Sequence, residues 1–279
     1  MLELQRDTRF IVDDILVQYH IASVDKPLMI TFSPAGYVLT TAEAEAGTSA
    51  WGFEFFKKMG VNVISFAPIK NKHWFISAAL QNYLTQLSPH LTVFPERLGY
   101  GASMGAFAHS LYYSQLQLDR LLLITPLTPP KNLMIPTAFD YCAQCQGDIT
   151  LIFDPLCPED KSHALRYPSH TKYLKLYGVG HQVIETISKI GYLKSLVMAF
   201  IANDINHAEF NKAMRGRRSV ERYYSYMARN PTQKLTPSRL NIIRRHLLRW
   251  HFAHPTYFIQ KLTTKWRKSI RKRLNKLSK

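Results

Sequence analysis

Residues 101–105 read Gly-Ala-Ser-Met-Gly, a G-x-S-x-G motif with the hydroxyl of Ser103 at its centre. The motif follows residues 97–100, which predict the end of a strand, and precedes a predicted helix over 106–118. A sharp turn from strand to helix holds the serine hydroxyl out at the edge of a sheet, and flanking glycines remove side chains that would collide in that turn. The spacing therefore predicts that Ser103 is a nucleophile for acyl transfer.

A serine nucleophile needs a base, because its hydroxyl is barely ionised at neutral pH. Residues 178–181 read Gly-Val-Gly-His and follow the last predicted strand, 173–177, so His181 is the candidate base. Two carboxylates are candidates for orienting its imidazole. Asp154 directly follows the predicted strand 149–153 and is preferred, whereas Asp160 precedes a helix predicted from residue 161 and has an N-cap role as its alternative.

The order Ser103, then aspartate, then His181, each after a strand, resembles the α/β-hydrolase family over residues 9–202. The resemblance implies that the nucleophile follows the fifth strand, the acid the seventh and the histidine the eighth. It also implies an oxyanion hole built from two backbone N–H groups, one of them on Met104. The second comes from the loop after the third strand, on Ser33 or Ala35, because Pro34 between them has no N–H.

The first 202 residues alternate short β-rich stretches with helical ones, which is typical of βαβ units and a mostly parallel sheet. Helices are predicted over 48–59, 74–87, 106–118 and 183–201. Residues 203–279 contain no strand signal. We therefore predict an α/β catalytic domain over 1–202 and a basic, all-helical tail over 203–279.

The net positive charge of the chain is confined to that tail. The formal net charge is +17, and residues 203–279 hold 20 of the 36 Lys and Arg but only three of the 19 Asp and Glu. The first 202 residues are therefore neutral, which excludes a uniformly basic protein of the histone or ribosomal type. From residue 222 to the end there is no acidic residue. This pattern favours an anionic partner over a solvated helical face, which would mix both signs.

Two helices are predicted in the tail, one from Thr236-Pro237 and one from Pro255. Acidic polysaccharide and acidic membrane surface are the predicted partners, and nucleic acid is less favoured. The basic residues expected to contact the partner are Arg244, Arg245, Lys265, Arg267, Lys268 and Arg271.

The remaining chemistry-bearing residues carry weaker signals. His73 and Trp74 follow the fourth strand and are predicted to line the substrate pocket, with packing in the core as the alternative. The cysteines at 142 and 145 form a lone CxxC, so no metal site and no bound cofactor are expected. The odd count of three cysteines and the lack of a secretory-type N-terminus predict a cytoplasmic protein, which the tail would hold at the inner membrane surface.

These features predict a serine enzyme that works on acyl esters through a Ser-His-Asp triad. It would be a carboxylic-ester hydrolase, or an O-acetyltransferase similar to the α/β-hydrolase-type enzymes that decorate capsular polysaccharides, with acetyl-CoA as acyl donor. The alternative is an inactive α/β-hydrolase scaffold that binds a polyanion or a membrane through its tail.

Overall fold

The computed structural model describes residues 2–70, 74–128, 141–231 and 235–263, together with Trp266 and Ile270. The described chain contains an eight-stranded sheet in the order β1-β2-β4-β3-β5-β6-β7-β8. The strands are β1 Asp7–Val12, β2 Ile15–His20, β3 Leu28–Phe32, β4 Asn62–Pro68, β5 Arg97–Ala102, β6 Arg120–Ile124, β7 Asp148–Phe153 and β8 Lys172–Lys175. Only the β1–β2 and β2–β4 pairings are antiparallel, and the others are parallel. This is the α/β-hydrolase fold that the sequence predicts.

Helices cover both faces of the sheet. Those between the strands are α1 Thr41–Glu45, α2 Phe53–Lys58, α3 Ala78–Leu91, α4 Met104–Leu111, α5 Tyr113–Leu116 and α6 Pro158–Ala164. After β8 come α7 Val183–Lys189, α8 Leu193–Ile201, α9 His207–Ala213, a 3-10 helix Met214–Ser219, α10 Glu221–Arg229 and α11 Pro237–Ala253. Residues 255–263 form a further helix, α12.

The central strands are apolar on both sides because both of their faces are covered. Leu121 and Leu123 of β6 point into one core cluster, and Leu122 and Ile124 point into the other, as the two-residue period of a strand requires. The two clusters sandwich the sheet and fix the carboxyl ends of β5, β7 and β8 along one edge. The candidate catalytic residues follow these three strand ends.

Several predicted helices have different limits in the structure. The predicted helix 48–59 is shorter, because α2 starts at Phe53 after Gly52 takes a left-handed conformation. The predicted helix 183–201 is two helices, α7 and α8, separated at Gly191, which also has a positive φ. A left-handed glycine commonly follows the end of a helix, which accounts for the break at Gly191, whereas Gly52 precedes α2 as its N-cap.

The first part of the predicted tail packs onto the sheet domain. Phe210 of α9 and Met214 of the 3-10 helix are buried in the second core cluster. α10 then lies against the loop that follows β8, and α11 packs against α10. Residues 203–229 therefore belong to the packed body of the described chain, although they carry part of the basic charge.

Candidate active site

Ser103 occupies the turn between β5 and α4 in a strained backbone conformation, with φ 54° and ψ −116°. Non-glycine residues adopt a positive φ rarely, and such strain persists where the surrounding structure enforces it. A Cβ on Gly105 would lie 2.0 Å from the carbonyl oxygen of Phe32, and one on Gly101 would lie 2.7 Å from the carbonyl carbon of Gly105. Both glycines are therefore required by close backbone packing, as the motif predicts.

His181 lies within hydrogen-bonding distance of the serine. Its Nε2 is 3.0 Å from Oγ of Ser103, and its Nδ1 is 2.7 Å from Oδ1 of Asp160. In the tautomer whose Nδ1–H donates to Asp160, Nε2 is free to accept the proton of the Ser103 hydroxyl. The three side chains form a continuous relay from a carboxylate to a serine oxygen.

The carboxylate in that relay belongs to Asp160, which corrects the preference for Asp154. α6 begins at Pro158 rather than at residue 161, because proline is favoured in the first turn of a helix. Asp160 therefore lies inside that first turn, where its carboxylate is buried and reaches His181. The N-cap position of α6 is held by Cys157, so the N-cap alternative for Asp160 is not met either.

Asp154 has a different set of partners. Its Oδ2 accepts hydrogen bonds from the backbone N–H groups of Gly178, Val179 and Gly180, at 2.6 to 2.9 Å, and its Oδ1 accepts one from Leu156 at 2.8 Å. Burial raises the pKa of Asp154 against the opposing effect of these donors. Asp154 therefore holds the loop that carries the histidine and does not contact the imidazole itself.

The protonation of His181 reflects two opposed effects. Burial by itself lowers the pKa of the imidazole, but the hydrogen bond and negative charge of Asp160 raise it, with a smaller contribution from Glu185. The net result is a pKa above the ordinary value of an imidazole. A base of this kind is stabilised once it has taken the serine proton, which is what general-base catalysis requires.

The predicted oxyanion donors separate into two groups. Met104 is the first residue of α4, and the N–H groups of a first turn have no acceptor within the helix. Ala35 lines the same cavity as Ser103, which keeps its N–H as the candidate second donor. The N–H of Ser33 instead donates to the carbonyl of Phe66 at 3.0 Å, and its hydroxyl donates to the same oxygen. The N–H of Ser33 is therefore already hydrogen-bonded, which removes Ser33 from the candidate oxyanion donors.

A cavity of about 590 Å³ opens beside Ser103 and His181. Its wall is largely apolar and includes Ala35, Tyr37, Trp51, Ile184 and Leu193. A second cavity of about 430 Å³ shares Trp51 and Leu193 with it and extends between α2 and α8. Such a wall excludes water from one side of the serine and accommodates the apolar part of a substrate.

The other predicted site residues that the structure describes do not line this cavity. Trp74 packs edge-to-face on Phe107 of α4, with ring centroids 5.9 Å apart, and is not among the described residues that line the cavity at Ser103. His73 is outside the described residues. Arg244 and Arg245 are exposed on α11, far along the chain from the triad. Lys265, Arg267, Lys268 and Arg271 are outside the described residues.

The sequence interpretation missed the support that the tail gives to the histidine loop. The guanidinium Nε of Arg222 donates to the carbonyl of Val179 at 2.8 Å, and the hydroxyl of Tyr226 donates to the carbonyl of Leu156 at 3.1 Å. A Cβ on Gly180 would lie 2.3 Å from the ring of Tyr226. α10 therefore packs directly against the loop that precedes α6 and the loop that carries His181. The glycine next to the histidine is the sequence signal of that contact.

No metal site or membrane span is found in this part of the chain. Among the described residues, no group of three or more His, Cys, Asp or Glu side chains is placed to hold a metal ion. No helix in the same residues combines the length and the apolar character needed to cross a bilayer.

The chain is weakly similar to known structures and matches no family model and no curated protein sequence. It is similar to the capsule O-acetyltransferase of Neisseria meningitidis serogroup A, with 12% identity and a TM-score of 0.46 over 68% of this chain and 94% of that one. Est1E from Butyrivibrio proteoclasticus has 13% identity and a TM-score of 0.45, over 70% of this chain and 99% of that one. An α/β serine hydrolase homologue from Coxiella burnetii has 11% identity and a TM-score of 0.44, over 73% of this chain and 99% of that one. The fold assignment rests on the strand order itself.

Proposed function

We propose that this protein is a serine enzyme that forms an acyl-enzyme on Ser103 from a carboxylic ester. The observation that carries the proposal is the relay of Asp160, His181 and Ser103, whose two contacts measure 2.7 and 3.0 Å. An inactive scaffold has no need to keep these distances together with a strained nucleophile and a raised histidine pKa. The proposal therefore favours chemistry over the alternative of a purely binding protein.

The steps follow from the geometry. Nε2 of His181 takes the proton as Oγ of Ser103 attacks the ester carbonyl, and the carbonyl oxygen becomes an oxyanion facing the N–H groups of Met104 and Ala35. Collapse of this intermediate breaks the ester bond, and His181 returns the proton to the departing alcohol. Water then attacks the acyl-enzyme by the same route, which releases the acid and restores the serine.

Acyl transfer to a hydroxyl other than that of water is the second candidate. The specific observation in its favour is the positive charge of residues 203–279, with Arg244 and Arg245 exposed, which would attract an anionic acceptor. An acidic polysaccharide is the proposed acceptor and acetyl-CoA the proposed donor. The two candidates share the acyl-enzyme. They differ in the donor, which is a carboxylic ester that releases an alcohol or acetyl-CoA that releases its thiol, and in whether water or a hydroxyl of the acceptor then attacks the acyl group.

A labelling assay tests the shared step. The purified protein is incubated with a fluorophosphonate probe, which reacts with activated serines, and the modified peptide is identified by mass spectrometry. We expect labelling at Ser103 that is lost in Ser103→Ala and strongly slowed in His181→Ala. If the unchanged protein is not labelled, or is labelled equally fast without His181, the proposed enzyme activity is wrong.

Product analysis then separates the two candidates. Short-chain aryl esters and acetyl-CoA are supplied as donors, each with and without an acidic polysaccharide. Release of free acid that the polymer leaves unchanged indicates a hydrolase. Acetylated polymer formed at the expense of free acetate indicates a transferase.

A further inference from the structure

Helix α11 has two apolar faces, and only one of them is covered. Four apolar side chains spaced three or four residues apart are half-buried on the side that packs against α10: Leu240, Ile243, Leu247 and Trp250. On the opposite side, Ile242, Leu248 and Phe252 are exposed, and Phe252 is 83% accessible. Large exposed apolar side chains that cluster on one face mark an interaction surface.

The same outer face carries cations. Arg245 and Arg249 are exposed and lie four residues apart. Arg245 is three residues from both Ile242 and Leu248, and Arg249 is three residues from Phe252, so all five lie on one side of the helix. No acidic residue occurs in α11. The outer face therefore alternates apolar and positively charged side chains.

Helix α12 begins after the break at His254 and also has exposed apolar side chains. Ile259 and Leu262 are exposed, and Trp266, four residues further on, is 69% accessible. The other side of α12 is occupied, because Nζ of Lys261 lies 2.6 Å from Oε1 of Glu221. We call the following exposed residues the outer face of the tail: Ile242, Arg245, Leu248, Arg249, Phe252, Ile259, Leu262 and Trp266.

Glu221 is the last acidic residue of the chain, and it does not neutralise the arginines of the outer face. Its side chain is buried between α10 and the last helices, where it pairs with Lys261 and lies near His251. A carboxylate held in this way does not offset the exposed arginines. Every formal side-chain charge after residue 221 is positive.

We infer that the outer face binds the surface of a membrane containing anionic phospholipids. Arginines beside Phe, Leu and Trp on a helical surface match the interface of a bilayer, where cations meet headgroup phosphates and apolar side chains enter the acyl boundary. An acidic polysaccharide would satisfy the arginines, but its hydroxylated surface would leave Leu248 and Phe252 without an apolar environment. A second copy of the chain would bring like charges together.

Vesicle co-sedimentation of the full chain tests this inference. Vesicles of phosphatidylcholine alone are compared with vesicles that also contain phosphatidylglycerol. We expect binding to the mixed vesicles only, with high salt weakening it. L248S/F252S should weaken binding tenfold or more, because it removes two side chains that would enter the bilayer. R245Q/R249Q should weaken it about 25-fold, from roughly fivefold for each arginine near an anionic surface.

Matched controls keep the result interpretable. Asn241→Gln lies on the same face, changes neither charge nor apolar character, and should bind as the unchanged protein does. Far-UV circular dichroism and thermal unfolding report the folded state of each variant, including Ser103→Ala. Ser103→Ala should still bind vesicles, since the inference does not depend on the proposed enzyme activity.

Three outcomes would overturn the inference. The first is equal binding to neutral and anionic vesicles, or equal binding by L248S/F252S and Asn241→Gln. The second is a dimer, seen by light scattering, that L248S/F252S dissociates while vesicle binding is absent. The third is binding to acidic polysaccharide that depends on Arg245 and Arg249, with no binding to vesicles.

Discussion

Oδ1 of Asp160 lies 2.7 Å from Nδ1 of His181, although the aspartate is in the first turn of α6 and the histidine follows β8. The carboxylate is buried, while the imidazole is part-exposed toward the cavity. One end of the imidazole is thus fixed by the protein, and the other faces the serine.

The two aspartates should respond differently to the same substitution. Asp160→Asn should lower kcat by about 10³- to 10⁴-fold, because the amide no longer holds the imidazole in the productive tautomer or stabilises its charged form. Asp154→Asn should instead lower the free energy of unfolding by about 3 kcal/mol, since an amide cannot replace all four backbone contacts of a buried carboxylate. Ester hydrolysis and thermal unfolding of both variants measure the contrast. A larger loss of kcat in folded Asp154→Asn than in Asp160→Asn would contradict the assignment.

The pH dependence of kcat/KM should report His181. The raised pKa of its imidazole keeps it protonated to higher pH than an ordinary histidine, so activity should fall on acidification with a midpoint above about 6.5. In Asp160→Asn the effect of burial is no longer opposed by that carboxylate, and the midpoint should move to lower pH. A midpoint that is the same in both proteins would show that Asp160 does not act on the imidazole.

The turn at Ser103 should tolerate no added methyl group at Gly105. A Cβ there would lie 2.0 Å from the carbonyl oxygen of Phe32, so Gly105→Ala should destabilise the protein by about 3 kcal/mol and abolish labelling of Ser103. Gly36→Ala is the matched control, because nothing lies within 4 Å of its added Cβ. Denaturant unfolding compares the two variants. Equal free energies of unfolding for Gly105→Ala and Gly36→Ala would show that Gly105 is not packed against the backbone at Phe32.

Helix α10 should affect catalysis through the histidine loop. Arg222→Gln and Tyr226→Phe each remove a hydrogen bond to the loops around His181 and Asp160, and each should lower kcat about tenfold by loosening their alignment. Hydrogen exchange at residues 178–181 should increase at the same time. Tyr224→Phe on the same helix is the control, since its ring stacks on His246 instead. Unchanged exchange in the two variants would remove the proposed positioning role.

His109 should make the protein sensitive to acid. Its imidazole is fully buried beneath the turn at Ser103, and burial lowers its pKa to about 4. The unfolded chain binds a proton below about pH 6.5 and the folded one does not, so stability is lost as the pH falls through this window, by up to about 3 kcal/mol. His109→Leu should flatten the dependence of unfolding free energy on pH between 6.5 and 4. The same slope in both proteins would assign acid sensitivity to other groups.

Local patterns predicted the strand-turn-helix at Ser103 and the loop that carries His181, because two flanking glycines and a Gly-x-Gly-His stretch each specify their geometry within a few residues. Local sequence patterns could not decide whether Asp154 or Asp160 contacts His181. The choice depends on where Pro158 starts α6 and on which backbone N–H groups reach the end of β7. Trp51 is remote in sequence from every motif, so its place in the cavity wall follows only from packing.

Residue spacing likewise predicts only part of the surface of the tail. Leu240, Ile243, Leu247 and Trp250 are spaced three or four residues apart, and this spacing by itself places them on one face of α11. The exposure of Leu248 and Phe252 could not be read from spacing, because apolar residues on a second face are equally typical of a buried helix.

The most direct measurement of the central claim is rapid-quench mass spectrometry with a slowly deacylated ester. We predict that the peptide containing Ser103 gains the mass of one acyl group before steady state, that Ser103→Ala never does, and that Asp160→Asn does so far more slowly. Turnover of the ester with no acyl group on Ser103 at any time point would contradict the account.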